Sequence, residues 1–427
     1  MHIQEMRVTP IAISDPPLLN AAGLHAPYAL RTIVELVTND GISGLGEVPG
    51  SAETTAALEA AAEVVIGQDP FQLNAIYRGL VERFGAGRAP ANLVGWEHRR
   101  ILHVYSAIEV ACFDIMGKAT GRPVCDLLGG RVRERVDFSA YLFYKYEGAG
   151  GELGFGVDPA AIGWAAARQR AALDPAGIVA QAQAMRREFG FKSIKLKGGV
   201  FPPDQEVAAI LALREAFGAG TPLRLDPNAV WKVETAIAVG RRLEGVLEYF
   251  EDPVRGQENM ATVRKAVSLP LATNMCTTAF EHLPRSIELG SEDIILSDHH
   301  FWGGLRASVE LARICATFGR GLSMHSNSHI GISLAAMTHL AAAVPNLTYA
   351  CDTHYPWQSE EVLVGGRFRF EDGALPVPRE PGLGIELDRA ALAKLHENYL
   401  RCGLTRRDDE AEMQKVQPGW KFQATRW

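Results

Sequence analysis

The chain opens with apolar and polar positions that alternate, in MRVTPIAI and again in RTIVELVTNDGISGLGEV. A two-residue period is that of a β-strand, and the Asn-Asp-Gly turn folds the second run into a hairpin. The period then lengthens to helical spacing in SAETTAALEAAAEVVIG and HVYSAIEVACFDIMGKATG, the latter ended by Gly121 and Pro123. Residues 1–132 are therefore expected to form an α+β unit. Between its early strands lies NAAGLHAPYAL, a loop of small residues with one histidine, His25. Gly41, Gly44 and Gly46 of GISGLGEVPG do not themselves open a helix, so they predict a hairpin rather than a dinucleotide-binding loop.

The pattern changes near residue 133. Short apolar runs (FSAYLFY, SIKLKGG, LRLDPN, LEYFEDP, LATNM, DIILSDHH, LSMHSN, LTYACDTH) recur, separated by amphipathic stretches such as PDQEVAAILALREAFG. Most of these runs end in a charged or amide residue. From Lys197 through Asp226, Glu251, Asn274, Asp298 and His325 to His354 the spacings are 29, 25, 23, 24, 27 and 29 residues. A strand, a helix and two loops need about that length, which predicts a βα array over residues 133–385. Eight such units close most economically into a TIM-type barrel, whose C-terminal strand ends share one mouth. Polar residues concentrated at that one end mark it as the site of chemistry.

Bulk composition narrows the class. The 427 residues, 47% of them hydrophobic and 22% charged, suit a soluble globular protein of two domains. A net charge of -7 excludes the broad basic field of a nucleic-acid binder, though not a pocket for a small anion. Six scattered cysteines without a CxxC pair predict reduced thiols in a cytoplasmic protein. No apolar run approaches the roughly 18 residues of a membrane span, and no signal-peptide pattern opens the chain.

Lys195 and Lys197 flank Leu196, so strand geometry turns both lysines to one side. Side by side, they are expected to depress each other's pKa and free one as a base. Asp226, Glu251 and Asn274 end three successive strands and form an oxygen-only donor set suited to Mg²⁺. Loop capping by the aspartate before Pro227 is the competing explanation, and Glu258 is the competing ligand, placed second because it opens the next helix. Asp298 and His325 end the following two strands, where the carboxylate can fix the imidazole tautomer. His329, four residues past His325, suits a zinc pair by spacing alone. A packing or capping role at the start of the next helix is expected instead.

With these groups assembled, the chain resembles the enolase superfamily, and within it the glucarate dehydratase branch. HAPY, KLKGGV, LDPNAVW, EDP, LATNM, DHHFWGG, HSNSH, DTHYPWQ, RRDD and PGW carry the resemblance over essentially the whole chain. Asn274, where relatives more often use an acid, narrows the branch. The resemblance implies a modified (β/α)7β barrel under an N-terminal α+β capping domain. In it a lid loop near residues 19–30 closes over the site and residues 386–427 return to the cap. It implies Mg²⁺ as cofactor, with Lys197 and His325 as two bases, Asp298 orienting His325, and Lys195 on a substrate carboxylate. His25, Tyr141, Asn228, Ser326, Asn327, His354 and Arg407 become substrate contacts. The implied reaction removes water from an aldarate, D-glucarate or L-idarate, through an enediolate, to give 5-dehydro-4-deoxy-D-glucarate. The partner is then a small diacid sugar, and association into homo-oligomers is expected.

Three departures bear on the substrate. Gly95 stands nearest to where the family has a substrate-contacting threonine, VRGQEN after EDP is short, and YEGAGGELGFGVDPAAIGW is an insertion. Galactarate or another acid sugar, epimerisation or racemisation, and a catalytically weak binding paralogue are the alternatives.

Overall fold

The computed structural model describes residues 1–85 and 100–427; Gly95 lies outside them. Strands β1 (Ile3–Ser14), β4 (Tyr28–Thr38) and β5 (Ser43–Pro49) form an antiparallel sheet in the order β1-β4-β5. Between β1 and β4 the chain makes a small hairpin of β2 (Leu19–Asn20) and β3 (Gly23–Leu24). Helices Ala52–Val65, Leu73–Phe84 and Arg100–Thr120 follow. The glycines of β5 have a packing cause. A Cβ on Gly44 or Gly46 would sit 2.0 Å from the Ala111 or Ala107 carbonyl oxygen, so only glycine lets the helix lie against this strand.

Eight parallel strands follow: β6 (Arg135–Phe143), β7 (Ser193–Lys197), β8 (Leu223–Asp226), β9 (Tyr249–Glu251), β10 (Leu271–Thr273), β11 (Ile294–Ser297), β12 (Gly321–Met324) and β13 (Cys351–Asp352). They pair in the order β12-β11-β10-β9-β8-β7-β6-β13. The open seam between β12 and β13 is bridged by Thr348, whose N–H donates to the Leu322 carbonyl (3.1 Å) while its Oγ1 accepts from the Leu322 N–H (3.1 Å). The connections carry the helices Pro175–Phe189, Pro203–Phe217, Val233–Arg242, Gln257–Ala266, Leu283–Leu289, Leu305–Thr317 and Gly331–Ala343. The result is a nearly closed (β/α)7β barrel under an N-terminal domain of antiparallel sheet and helices. β14 (Ala374–Pro376) then pairs antiparallel with β6.

Beyond the barrel, helix Arg389–Cys402 lies on β1, with the His396 Nδ1 2.7 Å from the Pro10 carbonyl oxygen and Arg389 paired to Glu35. Two buried carboxylates fasten cap to barrel. Glu109 accepts from the Leu305 and Arg306 N–H groups. Glu47 accepts from Ile330 and Ser333 at the start of the helix after the histidine loop. No helix among the described residues is long and apolar enough to cross a membrane.

Candidate active site

The register of β6, β7 and β8 sets the first group. Tyr141 stands beside Lys195, and Lys197 beside Asp226. Period-2 alternation turns both lysines inward and buries Leu196 in the core. Lys197 Nζ donates to Asp226 Oδ2 (2.5 Å), and Lys195 Nζ to Glu251 Oε1 (2.6 Å) and Asp352 Oδ2 (2.7 Å). The expected mutual depression of the lysines does not occur. Burial opposes both charges, but Asp352 and Glu251 raise Lys195 well above its ordinary range, and Asp226 raises Lys197. Attraction from carboxylates at hydrogen-bond distance outweighs the repulsion between two ammonium groups. Lys195 is also sealed from the cavity that Lys197 lines.

Across the mouth, His325 Nδ1 lies 2.9 Å from Asp298 Oδ2. An ionised carboxylate only accepts, so Nδ1 carries the proton and Nε2 keeps its lone pair. The ring of Phe301 stacks on His325 at 5.4 Å and 26°. His329 departs from the expectation in one respect: helix Gly331–Ala343 begins after it. Its Nε2 bonds Thr353 Oγ1 (3.2 Å), and burial and Arg31 push its pKa well down, so it is a packed neutral residue. Glu258 sits in the first turn of its helix, exposed, beside Arg285.

One cavity holds Tyr141, Lys197, Asn228, Asn274, Phe301, His325, Ser326, Asn327, His354 and, at its far end, His25 and Arg407. Asn228 donates its N–H to Asp226 Oδ1, and Ser326 Oγ accepts from the His354 N–H. Asp226 thus caps its loop, as the competing reading held, while its second oxygen faces Lys197. At the far end Arg407 Nη2 is 2.8 Å from His25 Nε2, and His25 Nδ1 is 2.9 Å from Asp15 Oδ2. Asp409 accepts twice from Arg407, and Asn20 donates to it (2.7 Å). Buried Asn327 Nδ2 and His354 Nδ1 have no hydrogen-bond partner, which leaves them available to a bound ligand. Burial and His25 hold His354 neutral.

Residues 9–129 match the model of the mandelate racemase/muconate lactonizing enzyme N-terminal domain, and residues 177–391 match that of the enolase C-terminal domain-like family. The chain belongs to the enolase superfamily. It is 47% identical over 430 residues to a probable glucarate dehydratase of Streptomyces coelicolor, covering 98% of this chain and 97% of that one. An enolase structure from Thermobispora bispora, complexed with magnesium and formate, matches with TM-score 0.91 and 55% identity over 99% of both chains. One from Pseudomonas fluorescens with magnesium, potassium and tartrate matches with TM-score 0.91 and 48% identity, over 99% of this chain and 98% of that chain. The protein is an enzyme of this superfamily, for which Mg²⁺ is the typical cofactor.

The donor set of this superfamily member fits that ion. Glu251 Oε2 is buried without a partner, while Asn274 Nδ2 donates to Oε1 (2.9 Å) and holds the amide against the carboxylate. Burial and the charge of Asp226 raise Glu251 well above the usual carboxylate range, the mark of a group short of positive charge. Asp226, Glu251 and Asn274 offer hard oxygens at adjacent strand ends. Asp298, His299 and His300 also gather metal-type donors, but both Asp298 oxygens are taken by imidazole nitrogens. Asp352, Asp409, Asn20, Asp15, Phe301 and His300 escape a reading of the sequence. Asp352 alone carried a usable signal, as a carboxylate at the end of the eighth apolar run.

Proposed function

We propose that the protein is a Mg²⁺-dependent acid-sugar dehydratase that converts D-glucarate, and L-idarate, into 5-dehydro-4-deoxy-D-glucarate. The observation that carries this reading is that Lys197 and His325 face one cavity from opposite walls, with Arg407 and His25 at its far end for a second carboxylate. The similarity to a probable glucarate dehydratase supports it.

Mg²⁺, held by Asp226, Glu251 and Asn274, would supply the charge that stabilises an enediolate and would compete with both lysines for the carboxylates. His325 Nε2 takes the α-proton of D-glucarate; Lys197 takes that of the epimer L-idarate. On D-glucarate, His325 then delivers that proton to the β-hydroxyl; on L-idarate, the Lys197 base leaves the proton on its amine and a His325 that enters the cycle protonated at Nε2 supplies the leaving hydroxyl. In both cases water leaves and the enol tautomerises to the keto acid. Arg407, oriented by Asp409, pairs with the distal carboxylate, and Asn327 and His354 offer hydrogen bonds to hydroxyl groups along the chain.

A panel of aldarates, aldonates and mandelate-like acids, assayed for keto-acid formation, tests the reading. Keto acid from D-glucarate and L-idarate is expected. Keto acid from galactarate alone would replace the substrate, epimers without keto acid would replace dehydration by epimerisation, and binding without conversion would leave a non-catalytic paralogue.

A further inference from the structure

The turn DHHFWGG contributes more than Asp298. His300, two residues on, directs its Nδ1 at Asp298 Oδ1 (2.9 Å), the oxygen that does not face His325. The backbone N–H of His300 reaches the same atom (2.9 Å). Oδ1 is thereby doubly held, and Oδ2 is left to His325 Nδ1. At its other nitrogen, His300 Nε2 lies 3.0 Å from Ser333 Oγ and 3.1 Å from the Glu47 carbonyl oxygen. Arg31 donates to Ser333 Oγ (3.3 Å) and to Glu47 Oε1 (2.7 Å). Asp298, His300, Ser333, Glu47 and Arg31 are all buried.

We propose that His300 is a positioning residue for His325: through Asp298 it locks the base's tautomer, and through Glu47 and Arg31 it ties that lock to the cap domain. The proposal rests on the dehydratase reading for its kinetic arm. Without the imidazole, only the His300 backbone N–H would hold Asp298 Oδ1, and the carboxylate would be freer to turn about its terminal bond and offer His325 a poor angle. The charged and titratable groups facing His300 are Asp298 and His299 on its own turn, Glu47 and Arg31 from β5 and β4, and His325 and His329 across the loop. Burial works against the charge on Asp298, but His300 and His325 outweigh it and hold the carboxyl well below its usual range. A carboxylate kept ionised keeps the proton on His325 Nδ1.

The test uses H300N, whose amide can still donate to Asp298, and H300L, which cannot, in the full-length protein with Mg²⁺. H300L should lose about 10- to 100-fold in kcat on D-glucarate, with KM within about threefold. Lys197-dependent exchange of the substrate α-proton with solvent should persist, and H300N should recover most of the kcat. Equal losses in H300N and H300L, or parallel loss of the Lys197 exchange, would overturn the proposal. A second readout needs no substrate. Low-field ¹H resonances of the Asp298-bound imidazoles should be present in the wild type. The His325 resonance should survive in H300N and vanish in H300L; its survival in H300L would overturn the proposal even if D-glucarate were not the substrate. Should H300L fail to fold, H300N with a vanished His325 resonance would overturn it equally.

Discussion

His325 and Lys197 have distinct surroundings, and that difference makes their roles separable by mutation. His325 has its Nδ1 on Asp298 and a ring face on Phe301, while Lys197 has its charge on Asp226. H325N should abolish turnover of D-glucarate, by at least about 10³-fold for loss of a general base and acid, while solvent exchange of a substrate proton by Lys197 continues. Loss of both activities together would refute two separate bases. At the far end, Arg407 lies between Asp409 and His25. R407M should raise KM for a dicarboxylate by about 10- to 100-fold, the worth of one charge-assisted pair, and leave KM for a monocarboxylate acid sugar nearly unchanged. An equal rise for both substrates would remove Arg407 from the distal end.

At the level of elements, one turn and one helix couple the cap to the barrel. Gly304 has φ +102°, and a Cβ there would lie 2.0 Å from Glu109 Oε2. G304A should cost about 2 kcal/mol or more, from the left-handed backbone and the clash together, read by denaturant unfolding; an unchanged midpoint would contradict this packing. Glu109 itself is pushed by burial from 4.5 to about 8, against the pull of the Leu305 and Arg306 N–H groups. A carboxyl raised on folding favours the folded state while protonated, so its contribution is complete below pH 4.5 and lost as pH rises through about 8. E109Q, which does not titrate, should therefore gain stability relative to wild type between those limits and change little above them. Melting temperatures at several pH values check the sign. The barrel strands were legible at this scale because most carry a short apolar run ending in a polar residue. The β2–β3 hairpin was not, because its pairing depends on Leu19 meeting the Tyr144 carbonyl of the barrel.

Across the whole molecule, three buried carboxylates surround Lys195 and a fourth group, Asn274, completes the cluster. EDTA should remove activity on D-glucarate and Mg²⁺ restore it. Mg²⁺ should also raise the melting temperature, by about 2.7 kcal/mol of stabilisation at a hundredfold excess over Kd. Activity indifferent to EDTA would sink the metal assignment. Local sequence determined the barrel, the order of its strand-end residues and the donor types, because side-chain alternation and strand-to-strand spacing are properties of short segments. It also predicted which way the KxK lysines point. Tertiary structure alone decided which charges meet. Asp352, 157 residues from Lys195, reverses the expected pKa shift of that lysine; Asp409, 389 residues from Asn20, completes the far end. Glu47 reaches the helix after the histidine loop across 283 residues. Coulomb interactions depend on distance in space, and no periodicity along the chain records it.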